Sequence, residues 1–104
     1  MVVQYQGTQN GVPTTFSVRL NGNNLSKSSS NYEVDLFVGE KGTNQVPFFT
    51  TSIHQSLYNC LKEIHLFRKH NNITFDSVSE IVRPKLVPYD NVLFNFNKYI
   101  LFMA

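Results

Sequence analysis

The residue types best suited to chemistry in this 104-residue chain are 3 histidines, one cysteine and a few paired carboxylates. His54 and His65 are eleven positions apart. On one helix they would share a side but lie about 16 Å apart along the axis. His65 and His70, five apart, would point more than about 100° apart around it and lack the i,i+4 placement that pairs ligands. No metal site is expected. Cys60 falls among apolar residues and reads as a small core hydrophobe, because no signature of a nucleophilic cysteine surrounds it.

Two carboxylate pairs could be drawn as acid and base: Glu33 with Asp35 on a strand, and Asp76 with Glu80 on a short helix. Solvated faces carry such pairs routinely, and Arg19 and Lys98 are available as cross-strand partners for Glu33 and Asp35. The chain has no G-x-S-x-G, Walker loop, G-x-G-x-x-G or H-E-x-x-H. It therefore reads as a non-enzyme with no catalytic residue, no metal and no cofactor.

Binding is the remaining chemistry. Lys62, His65, Arg68, Lys69 and His70 gather near one helix end, and Arg83 and Lys85 follow on the next connection. Folded together, these cations would form a phosphate-contacting patch. Phe37 and Tyr99, expected on an outer sheet face, would add stacking platforms for unpaired bases. Cations at a helix C-terminus also compensate the helix dipole with no ligand at all. The signatures of RNA-recognition domains and zinc fingers are absent. A protein interface is the favoured alternative: Phe37, Tyr99, Leu101 and Met103 lie on strand faces that one main helix cannot cover, and uncovered apolar surface marks partners. The expected function is thus a small protein-binding or assembly subunit, as a homodimer or within a larger complex. Nucleic-acid binding through Lys62, Arg68, Lys69, His70, Arg83 and Lys85 is the second reading.

The elements that must position these residues follow from periodicity. Val2 to Gln6 is β-prone, and Asn10-Gly11 carries the signal of a tight hairpin. Phe16, Val18 and Leu20 alternate with Ser17 and Arg19, a half-buried strand. Asn21 to Asn31 has the composition of an exposed loop. A third strand places Tyr32, Val34, Leu36 and Val38 on one face and Glu33, Asp35 and Phe37 on the other. Thr43 to Phe49 fits either an edge strand or a plug for the core. Thr50, Thr51 or Ser52 offers a cap for a helix whose apolar stripe is Ile53, Leu57, Cys60, Leu61, Ile64 and Phe67. Arg68 to His70 and then Asn71-Asn72 mark its end. Ser77-Val78-Ser79-Glu80 has the form of a capping box for a short second helix, and Lys85 to Asn91 reads as a turn-rich connection. Val92, Phe94, Phe96, Ile100 and Phe102 trace one face of a last strand, apolar on both sides from Tyr99 to Met103.

Together these predict one α+β domain spanning residues 1–104. It has a mostly antiparallel sheet of about four strands, a long amphipathic helix over about 52–70 on one face and a short helix over about 77–83. Composition supports an ordered core: 41% of residues are hydrophobic and 13% aromatic. Charged residues are only 15% and the net charge is +2, too little for a chain that grips nucleic acid by charge alone. No charged-then-apolar leader and no apolar run of about 18 residues is present, and the single cysteine forms no internal disulfide. These features point to an intracellular protein, cytoplasmic or nuclear, that makes no use of a membrane. The scarcity of Ala beside abundant Asn, Phe and Lys fits an AT-rich coding sequence, as in a virus or phage.

Overall fold

The computed structural model describes residues 1–23, 31–39, 46–82 and 90–102. Asn10 and Gly11 have φ of 51° and 80°, the left-handed pair that a two-residue hairpin turn needs to follow the twist of its strands. They join β1 (Val2–Gln9) to β2 (Val12–Asn23), with Gln9 opposite Val12 and Val2 opposite Arg19. β3 (Asn31–Val38) pairs with β2, and the short β4 (Phe49–Thr50) pairs with β3. The chain then passes through α1 (Leu57–His70) to the opposite edge, where β5 (Ile73–Val82) pairs with β1, and closes with α2 (Asp90–Phe102). The sheet order is β4-β3-β2-β1-β5, every neighbouring pair antiparallel.

Both helices pack on one face of this sheet. The period of two in β2 buries Phe16, Val18 and Leu20 there, beside Val3 and Tyr5 of β1 and Val34 and Leu36 of β3. The period of 3.6 in α1 turns Cys60, Leu61 and Ile64 onto them. Phe96 and Ile100, four residues apart on α2, complete the core, and the Tyr5 hydroxyl donates to Asn97 Oδ1 at 2.7 Å. That bond ties α2 to β1. At the end of α1, Asn72 takes a left-handed φ of 53°, as an αL cap requires. Its carbonyl accepts the Asn10 N–H at 2.9 Å, so helix cap and hairpin tip hold each other.

The class is α+β as expected, with five strands. Three local readings are corrected. The long helix starts at Leu57, after Ser56, and not near residue 52. The preceding residues continue the β3 pairing instead: Thr51 N–H donates to Val34, and His54 and Tyr32 exchange backbone bonds. Ile53 is consequently left 66% exposed and off the apolar stripe. The segment expected as a short helix over about 77–83 is the strand β5, because β1 offers a free edge and Ile73, Thr74, Val78, Ile81 and Val82 are β-branched. The expected last strand is the helix α2, buried at Phe96 and Ile100 and open at Phe94. Residues 43–45 lie outside the described residues; of the rest of the Thr43 to Phe49 segment, Phe49 joins an edge strand, and Phe48 and Phe49 pack on Phe67 of α1. Most of the expected Asn21 to Asn31 loop and of the Lys85 to Asn91 connection lies outside the described residues. Among the described residues no helix is long and apolar enough to cross a membrane.

Candidate functional site

On α1 the stripe Leu57, Leu61, Ile64 continues, four residues on, into Arg68. Helical spacing therefore carries a guanidinium to the core-facing side of the last turn. It is 6% exposed and lies over the Phe75 ring, 4.5 Å from its centroid. Its Nε is buried and has no hydrogen-bond partner. Burial pulls its pKa below the ordinary value, while the Tyr5 side chain acts the other way. An arginine stays protonated under such pressure, so the cost is borne as an unmet donor, about 1–3 kcal/mol for a group of this kind.

Arg68 forms the floor of a cavity of about 200 Å³ between the end of α1, the start of β5 and α2. Lys69 and His65 stand at its walls with Thr74, Phe75 and Leu101. Among the described residues no carboxylate lines it. Asn71 covers the nearest helix carbonyls: its N–H donates to Phe67 and Arg68, and its side-chain amide donates to Phe67 at 2.8 Å. The negative end of the α1 dipole is thereby muted where three basic residues converge. This arrangement suits one chemistry, the binding of an oxyanion.

The structure separates the other residues expected to form sites. Lys62 is exposed and lies over the Tyr58 ring at 5.4 Å, not in the cavity. His70 is exposed at the helix terminus. Arg83, Lys85 and Met103 lie outside the described residues. Phe37 is no outer platform: it is 5% exposed, with the Arg19 guanidinium 5.1 Å from its ring centroid. Tyr99 is half-buried and meets Tyr58 edge-on at 5.0 Å. Leu101 belongs to the cavity wall, a helical position rather than the strand face proposed for it.

The potentially reactive groups are committed elsewhere. Asp35, opposite Arg19 in the register, accepts from Arg19 Nε and Nη2 at 3.0 and 2.6 Å, from Asn21 at 2.6 Å and from Thr50 at 2.9 Å. Its lone pairs are occupied. Asp76 and Glu80 stand on a strand, about 13 Å apart at an ordinary rise, and Glu80 accepts the Gln4 amide at 2.8 Å. The Cys60 thiol is buried and donates to the Tyr32 carbonyl at 3.3 Å, and burial pushes its pKa up, away from the reactive thiolate. His54 bonds to Glu63, which also accepts the Ser52 N–H at 3.3 Å. Among the described residues no cluster of three or more His, Cys, Asp or Glu side chains is placed to hold a metal ion.

Arg68 is expected from the sequence as a helix-end cation, but only its place on the apolar stripe signals its burial; one further feature escapes a reading of the sequence. Phe94 shares one face of α2 with Leu101, seven residues and about 10 Å along the axis, and is 66% exposed. That pairing is invisible when the segment is read as a strand. No family model, no curated protein and no solved structure matches this chain.

Proposed function

We propose that the protein is a non-enzymatic binding domain that engages single-stranded nucleic acid through the cavity at the end of α1. The observation that carries this is Arg68, a buried guanidinium that lines a basic cavity and has no carboxylate partner among the described residues. A phosphate supplies the counter-charge that no described carboxylate gives this group. Phe94, exposed on the Leu101 face of α2, adds an aromatic surface on which an unpaired base can stack, the usual companion of a cationic groove in single-strand binding. With a net charge of only +2, the attraction is local and not a field of the whole molecule.

Fluorescence anisotropy with a labelled single-stranded oligonucleotide tests the reading. Binding should weaken as salt rises, by about tenfold for Lys69→Glu at fixed salt, and measurably for Phe94→Ala. A strand that leaves the anisotropy unchanged at low salt contradicts it.

A second reading, docking to a protein partner or a second copy, draws support from Val46, Ile53 and Leu66, which are 86%, 66% and 54% exposed. Light scattering on the eluting protein distinguishes the two. A dimer disrupted by Leu66→Glu, with no response to nucleic acid, favours assembly.

A further inference from the structure

We infer that Asn10, at the tip of the β1–β2 hairpin, is a site of spontaneous deamidation in the folded protein, whereas the chain's second Asn-Gly pair, Asn21-Gly22, is spared by its place in the sheet. In such a pair the backbone nitrogen of the glycine, which no Cβ shields, gives up its proton and attacks Cγ of the asparagine. A new N–C bond closes a cyclic imide, and the side-chain nitrogen leaves as ammonia. Water then opens the ring at one carbonyl to aspartate or at the other to isoaspartate. One water is consumed for each ammonia released, and a neutral amide becomes a carboxylate.

The left-handed φ of 51° at Asn10 goes with a ψ of about +47°, which leaves the Gly11 nitrogen nearly opposite Cβ about the Cα–C bond. The turn must rotate before attack, and it is lightly held. Asn10 and Gly11 are exposed, and among the described residues a Cβ on Gly11 would meet nothing within 4 Å. Asn72 restrains Asn10 through two bonds, accepting its N–H at 2.9 Å and donating Nδ2 to its Oδ1 at 3.2 Å. Hairpin tips of this kind open far more readily than the sheet behind them. Asn21 is under the opposite constraints. It stands opposite Glu33 and Gly22 opposite Tyr32, and the amide that would have to leave donates to the buried Asp35 carboxylate at 2.6 Å. Rotation there breaks the β2–β3 pairing, and Asp35 disfavours the anionic nitrogen that attack needs. Isoaspartate at position 10 would carry the backbone through the side-chain carbon and lengthen a two-residue turn, so the tip could no longer meet Asn72 at the end of α1.

Trypsin cuts after Arg19 and so places Asn10 and Asn21 on different peptides. The test incubates the full chain at mildly alkaline pH and follows the gain of one mass unit on each peptide by mass spectrometry. In the folded protein Asn10 should convert at least about tenfold faster than Asn21, whereas in concentrated urea the two rates should agree within about twofold. Asn10→Gly, which tolerates the positive φ, should remove the gain from its peptide. Equal rates at the two sites in the folded protein, or a faster rate at Asn21, overturn the inference. So does a folded chain that changes at neither site while the urea-treated chain reacts at both. A gain that persists in Asn10→Gly places the reaction on a glutamine of the same peptide and overturns the assignment.

Discussion

Two arginines on opposite faces of one sheet live under opposite rules. Arg19, on the face away from the helices, is half-exposed and delivers two N–H groups to Asp35, whose remaining oxygen sites are filled by Asn21 and Thr50. Arg68, on the helix side, is deeper than Arg19 and among the described residues has neither a carboxylate nor a partner for its Nε. The first is a completed network that sets the register of β2 on β3. The second keeps a buried donor with no partner among the described residues, and unmet buried donors are rare enough to ask what meets them. On the proposed function, the difference separates structural charge from charge held for a ligand.

The largest expected effect removes the support of the Arg68 side. A Cβ on Gly7 would stand 1.8 Å from the Thr74 carbonyl oxygen and 2.7 Å from its carbon, so Gly7→Ala forces β5 away from β1. It should cost about 3–4 kcal/mol by denaturant titration and remove binding with it, because Thr74 and Phe75 line the cavity. Next comes Arg19→Met, which leaves the Asp35 carboxylate buried without its counter-charge. The solvated state of Arg19 puts the loss at about 3 kcal/mol, the low end for a broken buried pair.

The same substitution at the other arginine should carry the opposite sign. Arg68→Met deletes an uncompensated buried charge and keeps an apolar stem over Phe75. The lost cation–π contact offsets part of the gain, leaving about 1 kcal/mol of stabilisation and a melting temperature about 4 °C or more higher. A lower melting temperature would mean that Arg68 is structural after all. The smallest effect belongs to the partly exposed His54–Glu63 pair. Burial alone would raise the Glu63 pKa, but hydrogen bonds from His54 and Ser52 outweigh it and hold it below the ordinary value. A depressed folded-state pKa gives stability that is present above the unfolded value and lost as pH falls through the folded one. Melting temperature should therefore decline as pH drops below about 4.5, with a shallower slope in Glu63→Gln.

Where local pattern and tertiary environment agree, the fold was legible. Asn10-Gly11 specified the hairpin, Phe16, Val18 and Leu20 the buried face of β2, and Cys60, Leu61 and Ile64 that of α1. Arg19 beside Asp35 followed from alternation once both strands were recognised. The two segments after the helix were not legible, for distinct reasons. Residues 73–82 hold a capping-box pattern that a free sheet edge overrides, and that edge is supplied by β1, some seventy positions away. In 90–102 the run Val92, Phe94, Phe96 satisfies a period of two, whereas Phe96 and Ile100 satisfy a period near four. Only packing on Tyr5 and Cys60 decides between them. The candidate site was half visible: Arg68 and Lys69 were named as phosphate contacts, but Phe75 beneath and Leu101 beside them require the corrected elements. Phe37 and Tyr99, named as platforms, are consumed by Arg19 and Tyr58.

The proposed function turns on the Arg68 guanidinium, which lines the cavity and whose Nε–H has no partner among the described residues. ¹⁵N-edited NMR of the arginine side chains, recorded while a single-stranded oligonucleotide is titrated in, observes that proton directly. A saturable downfield shift of the Arg68 Nε–H with slowed exchange is expected, while the Arg19 signal stays still. An Arg68 resonance that does not move while other signals report binding would contradict it.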